Sequence, residues 1–73
     1  MQVLTQVWGR AVVSRRTELG LSQKELADRS GTTQQHLSLI ERGAVEPRAD
    51  LKRRLAEALD TSPGVLFVDQ VPA

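Results

Sequence analysis

The stretch Ser22 to Gly43, SQKELADRSGTTQQHLSLIERG, constrains this chain more than any other. Its punctuation sets two short helices around one tight turn. Ser22 precedes Glu25 at the spacing of a capping box, in which each side chain satisfies a backbone N–H that the helix start leaves unpaired. Leu26 and Ala27 then face inward. Gly31 breaks the helix, since only glycine takes a left-handed backbone without strain. Thr33, or failing it Thr32, caps the next helix through its hydroxyl. Along that second helix Leu37 and Ile40 share one face, and Gln34, Gln35, Ser38 and Arg42 occupy the others. Ala27 is small where two steeply crossed helices must touch.

Ala27 and Gly31, with apolar residues at 26, 37 and 40, match the spacing of a helix-turn-helix. The segment resembles the DNA-binding domain of the Cro and lambdoid phage repressor (XRE-like) family. The runs GLSQKELA, GTTQQ, IERG and LAEAL carry the resemblance, which spans roughly Trp8 to Leu66. It implies an all-α fold, a compact bundle of about five short helices of the lambda repressor-like type. The function implied is a sequence-specific DNA-binding transcriptional regulator, a repressor dimer on a palindromic operator. The competing class is a protein-interaction module, such as an antitoxin, that has lost most DNA contact.

Composition narrows the alternatives. A chain of 73 residues makes one small domain. Without cysteine it has no disulfide or thiolate metal site, and its one histidine cannot form a zinc site alone. No cofactor is expected. No nucleophile–base pair or metal set stands out, so an enzyme is not expected. No apolar run nears the ~20 residues that cross a bilayer, and no signal-peptide pattern opens the chain, so a cytoplasmic protein is expected. The net charge is only +1, yet all ten Lys and Arg lie at or before Arg54. That layout can give a basic face to a nearly neutral protein.

In chain order, residues 1–5 read as a flexible arm. Helix 1 is expected from about Thr5, a candidate cap, to Leu19, with Trp8, Val12 and Leu19 on its apolar stripe. Gly20 ends it and Leu21 packs after it. Gly43 caps the second helix of the motif, and Ala44 to Arg48 is a loop because Glu46-Pro47 opposes helix. Helix 4 is expected from about Ala49 to Leu59, with Leu51, Leu55, Ala58 and Leu59 inward and Ala56 at the edge. Arg48 stands where the family has a capping serine or threonine. Lys52, Arg53 and Arg54 resemble a nucleic-acid patch but spread over different faces, and read as solvated surface with at most one phosphate contact. Ser62 and Pro63 start a short fifth helix burying Leu66 and Phe67, or Val65 to Val68 form a strand. Residues 68–73 are a tail or a dimer contact.

The candidate site follows from the second helix of the motif. Gln34 and Gln35 are the candidate base readers, because an amide donates and accepts together and can pair bidentately with adenine N6 and N7. Ser38, one turn on, could touch a base. Leu39 departs from the family, in which a similar repressor has a polar base-contacting residue there. It could meet thymine methyl groups or pack sideways. Candidate backbone contacts are Gln23, from its family counterpart and its place at a helix start, with Thr33, Arg42 and Arg48. His36 points aside, with no metal role expected. The resemblance further implies an ion pair between Arg16 and Glu41. Expected partners are double-stranded DNA and a second copy of the chain, with a toxin or other regulator as the alternative.

Overall fold

Ser22 and Thr33 cap the two helices of the motif in the way their hydroxyls suggest. In the computed structural model, which describes residues 3–71, Ser22 Oγ accepts from the Glu25 N–H at 3.0 Å and Glu25 Oε1 accepts from the Ser22 N–H at 2.9 Å. The bond from the Ser22 backbone, and then the one from its hydroxyl, hold the Glu25 carboxyl below its ordinary range. Thr33 Oγ1 accepts from the His36 N–H at 3.0 Å. Between them Gly31 takes φ +69°, the left-handed bend that lets the second helix leave at a steep angle.

The described residues form five helices: α1 (Leu4–Glu18), α2 (Gln23–Ser30), α3 (Gln34–Glu41), α4 (Ala49–Ala58) and α5 (Pro63–Leu66). α1 lies on α3, α2 packs on both α3 and α4, and α5 closes the bundle against α4 and α1. One core joins all of them. Val12, Leu26, Leu37, Ile40, Leu55 and Leu59 are fully buried, and Ala27 sits among them. Truncating any of these leucines to alanine belongs to the class of change that costs about 2–5 kcal/mol.

Trp8 is core, as its place on the stripe implied. Its ring meets Phe67 edge to face at 5.9 Å and 82°, and its Nε1 donates to the Val68 carbonyl at 2.7 Å. The chain beyond α5 is therefore tied to the first helix by a partly buried hydrogen bond from the Trp8 indole.

Several expectations need correction. Helix 1 starts at Leu4, so Thr5 is inside it rather than capping it, and Leu4 and Thr5 do not belong to an arm. Gln6 Oε1 instead accepts from the Val3 N–H at 3.3 Å. Met1 and Gln2, and Pro72 and Ala73 of the expected tail, lie outside the described residues. Leu19 is 41% exposed: it falls on the cap after the last helical residue, where the backbone turns away, and Leu21 takes the sheltered place. Ala56 is fully buried rather than at the edge. Residues Val65 to Val68 form no strand, because Pro63 opens a helix that runs to Leu66. Lys52 is not simply solvated, since its ammonium sits 4.0 Å from the Trp8 ring centre.

Candidate nucleic-acid interface

α3 carries its core contacts on one side only. Leu37 and Ile40 are fully buried, while Gln34, Gln35 and Arg42 are exposed and Ser38 and Leu39 are partly so. Helical spacing arranges the outward residues in two rows, Gln34 with Ser38 and Gln35 with Leu39 and Arg42. Together with Gln23 from the start of α2 they line one open groove of about 420 Å³. The structure thus brings together the expected base contacts Gln34, Gln35, Ser38 and Leu39 and two of the expected backbone contacts, Gln23 and Arg42.

A buried carboxylate organises this groove. Glu41, its side chain 5% exposed, accepts from Arg16 twice, Nε to Oε2 at 2.8 Å and Nη2 to Oε1 at 3.2 Å. The third arm of the guanidinium, Nη1, donates to the Leu21 carbonyl at 3.0 Å. Glu41 Oε1 also accepts from Gln23 Nε2 at 2.8 Å, and Gln23 Oε1 faces Gln34 Nε2 at 3.5 Å.

The sign of that chain follows from chemistry. An ionised carboxylate only accepts, so Gln23 must turn its amino group toward Glu41 and its carbonyl toward Gln34. Gln34 must then offer an N–H to Gln23. Its own carbonyl and its second N–H remain free at the groove surface. That acceptor–donor pair is what the N6–H and N7 edge of adenine requires.

Thr33 and Arg48 are placed elsewhere. The Thr33 hydroxyl is occupied as a cap, although the residue is exposed. Arg48 lines a second groove of about 320 Å³ with Thr32, His36, Glu46, Asp50, Leu51 and Arg54. Glu46 and Asp50 offset the cations there, and Asp50 Oδ2 lies 3.4 Å from Arg54 Nη2. On α2, Lys24 is paired with Asp28 at 2.9 Å; that hydrogen bond, and then the charge of Asp28, raise the lysine's pKa above its ordinary value.

Two features of the packing, of which the first bears on the groove, went unread in the sequence. Gly9 lets α1 lie directly on the end of α3: a Cβ built there would stand 2.7 Å from the Ile40 carbonyl oxygen and would press on that of Glu41. The available signal was a glycine inside a helical run, on the same face as Arg16 and seven residues before it. Arg15 closes the far end of α4, donating from Nε to the Leu59 carbonyl at 2.9 Å and from Nη2 to that of Asp60 at 3.2 Å. Asp60 needs that help, because it ends the helix at φ +55° without being glycine.

Two helices joined by a glycine turn, with the second facing outward, place the chain in the helix-turn-helix class. A family model described as helix-turn-helix matches residues 13–66, and the chain belongs to that family. An uncharacterised HTH-type transcriptional regulator of Mycobacterium tuberculosis is 40% identical over 60 residues, which is 82% of this chain and 43% of that protein. Another from Methanothermobacter thermautotrophicus is 48% identical over 44 residues, 60% of this chain and 64% of that one. The chain therefore spans less than half of the mycobacterial relative. Among solved structures, the restriction-modification controller protein C.AhdI from Aeromonas hydrophila superposes with a TM-score of 0.83 at 35% identity, over 86% of this chain and 96% of that one. The P22 c2 repressor bound to a synthetic operator gives 0.82 at 29% identity, over 89% and 98%. The chain is thus of the lambda repressor-like kind that its sequence motifs implied.

Proposed function

We propose that this chain is a sequence-specific DNA-binding transcriptional regulator, a cytoplasmic repressor that works as a homodimer on a palindromic operator. The observation that carries this reading is the hydrogen-bond chain from Glu41 through Gln23 to Gln34. It holds one amide at the groove surface with its acceptor and donor unspent. α3 would enter the major groove with Gln34 and Gln35 against base edges and Ser38 beside them. Gln23, Thr33, Arg42 and Arg48 would contact the backbone and set the register. The likeness to the P22 c2 repressor, solved in complex with a synthetic operator, supports this reading. No catalytic role is part of the proposal. Among the described residues no helix is long and apolar enough to cross a membrane.

Selection of bound sequences from a random duplex pool tests the reading. An enriched palindrome is expected. Gln34→Ala should then cost about 1–3 kcal/mol at the selected site and relax the preference at one position, as a lost bidentate contact does. A second reading, a protein-binding module, is favoured by the net charge of only +1 and by the acids beside Arg48. Absence of enrichment even at low salt would select that reading over the first.

A further inference from the structure

We propose that Leu39 reads the 5-methyl group of a pyrimidine, so that the protein tells thymine from uracil, and 5-methylcytosine from cytosine, at one position of each half-site. The inference rests on α3 being the base-reading helix.

Leu39 is the apolar member of a groove whose other lining residues, Gln23, Gln34, Gln35, Ser38 and Arg42, are all polar. It belongs neither to the buried core nor to the partly buried apolar residues packed against that core. Nor does the turn of the helix send it toward Leu37 and Ile40. It stands in one row with Gln35, a turn before it, and Arg42, a turn after it. Leu39 is partly buried and stands outside that core, and the part of it that faces the groove gains when a partner covers it.

The partner's chemistry is restricted. Base edges in the major groove offer ring nitrogens, carbonyl oxygens and amino groups, all of which a leucine can neither donate to nor accept from. The one apolar group there is the methyl on C5 of thymine, and methylated cytosine carries the same group at the same place. Gln34 and Gln35, by contrast, are built for polar edges. The groove therefore carries amide readers at Gln34 and Gln35 and one methyl reader at Leu39. Leu39→Ala would remove the second and leave the chain from Arg16 to Gln34 intact.

The test uses the whole chain and the duplex recovered by selection. Each thymine of a half-site is replaced singly by uracil, which removes the methyl and keeps every hydrogen-bonding group. One position should weaken binding about fourfold, the worth of one buried methyl-sized group. Leu39→Ala should bind the thymine duplex more weakly by at least that factor and be indifferent to the replacement. Gln34→Ala should keep the uracil penalty, which separates the two roles. Where that thymine is replaced by cytosine, 5-methylcytosine should recover part of the loss in the natural chain and none of it in Leu39→Ala. If every uracil substitution is neutral, or if Leu39→Ala keeps the penalty, Leu39 has no such role. A pool without any enriched sequence would instead remove the DNA-reading proposal on which this one stands, so the two failures look different.

Discussion

Glu41 holds more of this molecule in place than its size suggests. It ends α3, yet its carboxylate is closed off by Arg16 of α1 and Gln23 of α2. Its contribution is one of position more than of net stability, because a shielded ion pair loses hydration nearly equal to its attraction. Removing one partner alone is another matter, since the remaining charge stays buried and unpaired. Arg16→Ala is therefore expected to lower unfolding stability by about 3–5 kcal/mol, read from thermal or denaturant melts. A melt that does not move would refute the account. The Arg16–Glu41 pair was suggested in the sequence by resemblance and not by spacing, because the partners lie 25 residues apart. The Gln23–Glu41 bond was not legible at all: nothing local in either helix reports that the third corner of the carboxylate is within reach. Leu19 shows the converse failure. Its period matched the stripe of α1, but the helix ended one residue before it.

At the scale of elements, what was legible was what local chemistry decides. Ser22, Glu25, Gly31 and Thr33 act within four residues of their targets, so the boundaries of α2 and α3 could be read from the chain. How helices approach one another is decided by side chains distant in sequence, and there the reading failed at Gly9. Glycine inside a helix ordinarily costs about 1 kcal/mol against alanine. Here the exchange would work in the other direction. The added methyl meets backbone carbonyls of Ile40 and Glu41, which cannot swing aside as a side chain would. Gly43 repeats the pattern next door: at φ +76° its Cα lies against Gln6, with a built Cβ 2.8 Å from that residue's Cα. Overpacking of this kind costs about 1–3 kcal/mol and moves backbone, which outweighs the gain in helix propensity. Gly9→Ala should therefore lower the melting temperature despite alanine's preference for helix. It should also weaken binding to a selected duplex under conditions where the protein stays folded, since α1 is the support against which α3 is aimed. Unchanged melting would show that the two helices can part without loss.

On the scale of the whole molecule, extent decides what one copy can read. The described chain measures 32 × 22 × 22 Å, and α3 has 8 residues, about 12 Å of helix. A rod of that length covers only a few base pairs of one major groove, which is why the proposed function pairs two copies on one operator. The proposed joint lies late in the chain, where Val65 is 63% exposed on α5 and Val71 42% exposed beyond it. The segment bearing Val71 leaves the core just after Val68, where Trp8 pins the chain. A symmetric pair joined there would set its two α3 helices about 34 Å apart, one turn of the duplex, on one face. Spacing then becomes the sharpest test of assembly. Inserting about five base pairs between the half-sites turns one of them to the far side of the duplex. Binding should fall to that of a single half-site, and footprints should shorten to match. Inserting a full turn should recover protection of both half-sites only to the extent that the joint between copies stretches. If the half-turn insertion leaves affinity and stoichiometry as they were, the copies bind independently, and the exposed valines at the end of the chain are not what joins them.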